Sequence, residues 1–218
     1  MRLYYSPFAC SFAAQIACRE AGLEITLHRT DLSTKRVEGG GDLRELNPMG
    51  QVPTLVTDDG QVLTESSSVL MYIADRATSA QLAPARTSFA YYELLRWLSF
   101  VATELHKKCL APIFAADSPE ALKAHARAIV HRPLAVVEKH LLTRESLLGT
   151  GFSIADAHLW WALTIMRAAE VSLEPYPSLR AFRKHHLGRP AVAAALSFEL
   201  EQQARAFQQS SSDAAPTP

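Results

Sequence analysis

Residues 47–66 read Asn47-Pro48-Met49-Gly50-Gln51-Val52-Pro53-Thr54-Leu55-Val56-Thr57-Asp58-Asp59-Gly60-Gln61-Val62-Leu63-Thr64-Glu65-Ser66. A strand over 54–57 is entered through Pro53, and Asp58-Asp59-Gly60 is a strong hairpin turn signal. Residues 61–64 return as a second strand. Over 65–77, Val69, Leu70, Ile73 and Ala74 then fall on one helical face. A tight turn joins antiparallel neighbours and cannot join parallel ones, so the sheet contains an antiparallel pair.

Towards the N-terminus, residues 2–5 form a short apolar and aromatic strand that Ser6-Pro7 breaks. From Ser11 to Ala21, the apolar Phe12, Ala13, Ile16, Ala17 and Ala21 recur at helical spacing, and Gly22 ends the helix. Residues 24–30 alternate as another strand, a loop with Lys35, Arg36 and glycines 39–41 follows, and 42–46 predicts a helical turn. The order β-α-β-α-β-β-α predicts an α/β domain with a mixed four-stranded sheet. After residue 87 the strand signals stop, and helical patterns run over 88–115, 119–145, 153–170 and 177–206. The expected organisation is an α/β domain over 1–77, a linker over 78–87, an all-α domain over 88–207 and a disordered tail over 208–218.

Lys plus Arg is 22 and Asp plus Glu is 22, so the formal net charge is zero. A nucleic-acid binder carries a basic excess or stripe, and none is present, so no such partner is expected. There is no apolar run of roughly 18 residues, which predicts no membrane span. Met1-Arg2-Leu3-Tyr4-Tyr5-Ser6-Pro7 lacks the apolar core of a signal peptide, which points to the cytoplasm. The odd set Cys10, Cys18 and Cys109 reads as free thiols. No cysteine pair has zinc-ligand spacing and His185-His186 are adjacent, so neither a metal nor a bound cofactor is expected.

Cys10 sits between the first strand and the first helix. A thiol at a helix N-terminus feels the positive end of the macrodipole, which lowers its pKa and enriches the thiolate. The competing reading is a small buried hydrophobe. Cys18 and Cys109 lie inside helices and read as buried, and Ala13 leaves no C-x-x-C pair for a dithiol cycle. The hydroxyls of Tyr5 and Ser11 flank the same turn and either can donate a hydrogen bond to a thiolate. The alternatives are a packed strand residue for Tyr5 and a helix cap for Ser11.

Five pieces together resemble the glutathione S-transferase family, in particular its bacterial beta class. They are Tyr5-Ser6-Pro7 leading to Cys10-Ser11, the run from Asn47 to Pro53, Glu65-Ser66, Glu104-Leu105-His106-Lys107, and Ser153-Ile154-Ala155-Asp156. The resemblance covers residues 1–200 and implies a thioredoxin-like domain that takes glutathione as co-substrate, with an electrophile or mixed disulfide bound against the helical domain of a homodimer. It implies a cis-proline loop at Val52-Pro53, beside Gln51, that pairs with the cysteinyl part of glutathione as in strand addition. Glu65 would take the γ-glutamyl ammonium, Ser66 and its helix N-terminus the carboxylate, and Lys35 the glycine carboxylate. Ser99, Thr103 and His106 would share the face that approaches Cys10, with His106 as the hydrogen-bond or acid/base partner of the sulfur and Lys107 adding positive potential. Glu104 would reach the partner subunit's bound γ-glutamyl ammonium. Two positions depart from the family pattern: Ser99 stands where relatives usually have Asn, and Met49 where Lys is frequent. Ser153 and Asp156 form a capping box, which is a folding element. The implied chemistry is thiol-disulfide exchange through a Cys10–glutathione mixed disulfide, with conjugation to electrophiles second. The alternative is a non-enzymatic binding or interaction module on the same fold.

Overall fold

The computed structural model describes residues 1–78 and 81–213, with side chains described within the helices as far as Arg205. The chain opens with β1 (Arg2–Tyr5), α1 (Ser11–Ala21) and β2 (Thr26–Arg29). A 3-10 turn (Leu43–Glu45), β3 (Thr54–Val56), β4 (Val62–Leu63) and α2 (Ser66–Asp75) follow. The sheet order is β2-β1-β3-β4. β1 is parallel to β2 and antiparallel to β3, and β3 is antiparallel to β4. The parallel pair needs the α1 crossover, and the β3–β4 pair closes through the Asp58-Asp59-Gly60 turn.

The register aligns Leu27, Leu3, Leu55 and Leu63 in one row across all four strands. That row joins Phe12, Ile16, Val69, Leu70 and Ile73 of α1 and α2 in the main core. The opposite face carries Tyr4 and Val56, which pack with Leu43 and Val52. α1 stops at Gly22, whose left-handed φ of 67° lets its N–H turn back to the Arg19 and Cys18 carbonyls.

The helical part begins with α3 (Phe89–Phe100), capped by the Ser88 hydroxyl on the Tyr91 N–H at 3.3 Å. It runs on into a π-helical segment (Val101–Leu110) and α4 (Ala111–Phe114). α5 (Glu120–Ile129), α6 (His131–Leu141), α7 (Ile154–Thr164), α8 (Pro177–Leu187) and α9 (Pro190–Asp213) complete the fold. The expected helix over 119–145 is broken at Val130, because Pro133 has no N–H to continue the hydrogen-bond ladder. The expected helix over 177–206 breaks at Gly188-Arg189 and restarts with Pro190 at the first helical position, where proline is tolerated. The tail expected from 208 is corrected in part. α9 continues to Asp213, because extending a packed helix needs no new nucleus, and 214–218 lie outside the described residues.

α7 is buried along nearly its whole length, including Asp156 and His158, and therefore forms the centre of the helical part. The core is continuous from Leu3 and Phe12 through Leu94, Trp97 and Leu105 to Trp160 and Trp161. Each fully buried leucine or isoleucine in it contributes roughly 1.5–3 kcal/mol. Polar ties reinforce this join. Arg189 makes a two-pronged ion pair with Glu20 at 2.6 and 2.8 Å, and the Ile154 N–H reaches the Leu82 carbonyl at 3.0 Å. Among the described residues no helix is long and apolar enough to cross a membrane.

Candidate active site

Cys10 occupies the cap position of α1, and its Sγ donates to the Val52 carbonyl at 3.0 Å. The Val52-Pro53 peptide is cis. Burial pushes the thiol up from its ordinary value, against a hydrogen bond with Ser66 and the charge of Lys107, which pull it down. This corrects the expectation of a thiol acidified by its helix. Removing a thiolate from water costs more than the helix end, one hydroxyl and one lysine return.

Two further segments border this thiol. Ser66 is the first residue of α2 and is buried, whereas the Glu65 side chain before it is exposed. Glu65 holds φ 66°, a left-handed backbone that a non-glycine residue keeps only where its surroundings over-determine it. The loop before Pro53 is tied down by Asn47 Nδ2 and Thr54 Oγ1, both donating to the Gln51 carbonyl at 2.9 and 2.8 Å. At Gly50 a Cβ would sit 2.9 Å from Lys35 Cδ, so the glycine lets the Lys35 stem lie against this loop. Lys35, Gln51, Val52, Pro53, Ser66 and Cys10 thus gather at one end of the sheet. Lys107 Nζ reaches Gln51 Oε1 at 3.0 Å and brings the π-helical segment to the same loop.

The other expected residues divide. The His106 ring lies edge-on to Trp161, 4.8 Å between centroids. Burial first, then the Lys107 charge, lowers its pKa to about 4, so the imidazole is neutral at neutral pH. Ser99 and Thr103 are exposed, and Thr103 Oγ1 donates to the Ser99 carbonyl at 2.9 Å. Ser99 and Thr103 thus stack one turn apart at the exposed side, while the half-buried His106 meets Trp161. In a π-helix each turn takes an extra residue, so positions drift from the α register. Glu104 pairs with Lys108 at 3.0 Å within its own segment.

Tyr5 is buried with its ring 5.5 Å from Phe198, and burial with the nearby Glu199 carboxylate pushes its hydroxyl up to about 12. Tyr5 is thus packed as the strand alternative has it, with its hydroxyl within the electrostatic reach of Glu199. Ser11 is also buried. Its Oγ accepts from the Ser6 N–H at 3.3 Å and lies 3.4 Å from the Ser6 carbonyl, so it braces the turn and caps no helix. Cys18 is buried and pushed up to about 12 by desolvation, and the Cys109 thiol donates to the Glu104 carbonyl at 3.1 Å. Among the described residues no group of three or more His, Cys, Asp or Glu is arranged to hold a metal ion.

Two residues that sequence reasoning passed over hold the Cys10 loop. Glu199 of α9 accepts the Phe8 N–H at 2.6 Å and Gln15 Nε2 at 2.5 Å, and Trp161 Nε1 donates to the Phe8 carbonyl at 2.9 Å. Burial raises the Glu199 carboxyl to about 7. A signal for Glu199 did exist. Val192, Ala195, Glu199 and Gln202 repeat at three- and four-residue spacing, so a carboxylate stands in the buried stripe of a helix.

Comparison with known proteins places this geometry in a family. Residues 5–76 match the N-terminal domain model of glutathione S-transferases, and residues 120–185 match the C-terminal one. The glutathione S-transferase GstA of Escherichia coli O157:H7 is 40% identical over 199 residues, which span 91% of this chain and 98% of that protein. The solved ternary complex of BphK, a bacterial transferase of this family, superposes with a TM-score of 0.88 at 42% identity, covering 91% of this chain and 99% of the other. The bacterial beta-class enzyme of Sphingomonas chungbukensis gives 0.87 at 39% identity, covering 91% and 98%. Both domains of the chain and its whole fold agree: it belongs to the glutathione S-transferase family, as a glutathione-dependent transferase of the bacterial beta-class type.

Proposed function

We propose that Cys10 is the centre of the chemistry, in thiol-disulfide exchange through a Cys10–glutathione mixed disulfide and in conjugation of glutathione to electrophiles. The observation that carries this reading is the 3.0 Å contact of the Cys10 sulfur with the Val52 carbonyl, beside the buried Ser66 that opens α2. In this reading the cysteinyl part of glutathione pairs with Val52, beside Gln51 and Pro53. Its γ-glutamyl end meets Ser66 and Glu65, and its glycine carboxylate turns to Lys35. A sphingomonad relative, 40% identical with a TM-score of 0.87, has been solved with glutathione bound, which supports a glutathione site in this cleft.

In the exchange step the Cys10 thiol loses its proton and attacks the glutathione sulfur of a mixed disulfide. The old S–S bond breaks, and the released thiolate takes up a proton. A second glutathione thiolate then attacks the Cys10–glutathione bond, which releases oxidised glutathione and returns Cys10 to a thiol. The proton leaves to solvent, and His106 is read as a hydrogen-bond partner near the sulfur, since a pKa lowered to about 4 leaves its neutral imidazole a weak base. In conjugation the bound glutathione thiolate attacks an electrophilic carbon, and Lys107 contributes positive potential. Ser99 and Thr103 are read as outer parts of the electrophile side. The protein acts as a homodimer, with Glu104 directed to the partner's glutathione, in a reducing compartment where three buried free thiols persist. Retention of Cys10, the Val52-Pro53 loop and Ser66 together disfavours a purely structural binding module.

Incubation with oxidised glutathione should add one glutathione per chain, and peptide mapping should find it on Cys10. Cys10→Ala should lose disulfide reduction. An adduct on Cys18 or Cys109 would overturn the exchange reading.

A further inference from the structure

Phe8, two residues before Cys10, holds φ 57°. A left-handed backbone at a bulky residue costs roughly 1–3 kcal/mol and persists only where its surroundings hold it. Both of its backbone groups are held from the helical domain: its N–H by Glu199 of α9 at 2.6 Å and its carbonyl by the Trp161 indole of α7 at 2.9 Å. The same indole meets the His106 ring edge-on at 4.8 Å. It also stacks on His158 at 5.6 Å with 20° between planes. His158 is fully buried, so the indole is backed by a ring that solvent does not reach. Trp161 therefore touches the loop that carries the nucleophile and the imidazole that serves it. Its neighbour Trp160 differs, because its indole N–H is spent on the Arg183 carbonyl at 3.1 Å inside the helical domain.

We infer that Trp161 is a positioning residue for the glutathione reaction, setting the Cys10 loop and the His106 ring against each other across the domain boundary. The inference rests on the reading of Cys10 and His106 as the reacting pair. The indole N–H fixes the Phe8 carbonyl and so the start of the turn into Cys10. The ring face fixes the orientation of His106. The bonds that hold the loop around Val52 and the start of α2 come from elsewhere, through Asn47, Thr54 and the Glu65 carbonyl. Loss of the indole should therefore disturb the chemical step and spare the capture of glutathione.

The test compares Trp161→Phe with Trp160→Phe in glutathione-dependent reduction of hydroxyethyl disulfide, with urea unfolding of each variant. Each loses one indole hydrogen bond and keeps an aromatic ring, so Trp160→Phe, whose ring packs edge-on to Phe12 at 5.7 Å, reads the cost of losing an indole bond that does not hold the Cys10 loop. Trp161→Phe should lower kcat about ten-fold or more while KM for glutathione stays within about two-fold. Trp160→Phe should leave both within about two-fold of the native chain. The inference is overturned if Trp161→Phe keeps native kcat, if Trp160→Phe loses as much, or if the loss lies wholly in KM. If Trp161→Phe does not fold, the benzothienylalanine isostere at 161, which keeps the ring and lacks the N–H, makes the same comparison. Cys10→Ala and His106→Ala are measured alongside. If these keep native rates, the reacting pair is misassigned and the positioning role falls with it. If they are impaired while Trp161→Phe is not, the pair stands and the positioning role alone falls.

Discussion

Cys10 is subject to opposed influences, and burial is the largest of them. Its position in the chain was readable, because a strand that ends at a proline and a helix that starts at Ser11 leave it at the junction. The state of the thiol was not readable, because desolvation depends on what the rest of the chain packs over it. With the pKa raised, the thiol form predominates at neutral pH, and the reactive thiolate fraction grows about ten-fold per pH unit below the pKa. Iodoacetamide labelling of Cys10, followed by mass spectrometry, should therefore accelerate steadily with pH and show no plateau near the ordinary thiol value of about 8.5. A plateau below pH 7 would show that the helix end and Lys107 outweigh burial. The surroundings of the Tyr5 and Ser11 hydroxyls were hidden for a related reason. Their neighbours in sequence flank Cys10, but their hydroxyl environments come from Glu199 and from the Ser6 backbone.

At the scale of elements, caps and turns were the most legible features. Gly22 ends α1, the Asp58-Asp59-Gly60 turn joins β3 to β4, and Ser153 with Asp156 forms the expected capping box at the start of α7. The sequence pattern did not show the third bond of that box. Asp156 Oδ1 accepts the Leu147 N–H at 2.7 Å, while Oδ2 accepts the Ser153 N–H at 2.8 Å and its hydroxyl at 2.6 Å. The box therefore also anchors the loop that leads into α7. Asp156→Ala leaves two buried N–H groups without partners, at about 1–3 kcal/mol each. Urea unfolding should show a loss of about 2–4 kcal/mol, well above an ordinary cap. Burial raises this carboxyl to about 6, so the measurement belongs near pH 8, where it is ionised. A loss under about 1 kcal/mol would reduce the box to a simple helix cap. The π-helical segment was not legible, because its apolar spacing passes for an α-helix until the packing against α7 is known.

At the scale of the molecule, α3 presents Phe89 and Tyr92 one turn apart, 78% and 62% exposed, with Leu95 beside them. Large exposed aromatics in one stripe mark an interaction face, and a second copy of the chain is the proposed occupant. Sedimentation at micromolar concentration should give a dimer, and Phe89→Asp with Tyr92→Asp should give a folded monomer. A native chain that sediments as a monomer would remove both the dimer and the cross-subunit role of Glu104. The succession of strands and helices, turn positions, the change from an α/β half to a helical half, and the place of Cys10 at a strand–helix junction were all written in residues close together in the chain, whereas the Val52-Pro53 loop beside Cys10, 42 residues away, was reached through the family resemblance. Periodicity, turn chemistry and capping are local effects, so local spacing reveals them. The direction of the Cys10 and His106 pKa shifts, the sides to which Tyr5 and Ser11 turn, and the clamp on Phe8 came only with the packed structure. Phe8 and Glu199 are 191 residues apart, and both desolvation and a hydrogen bond across that separation exist only once the two domains close on each other.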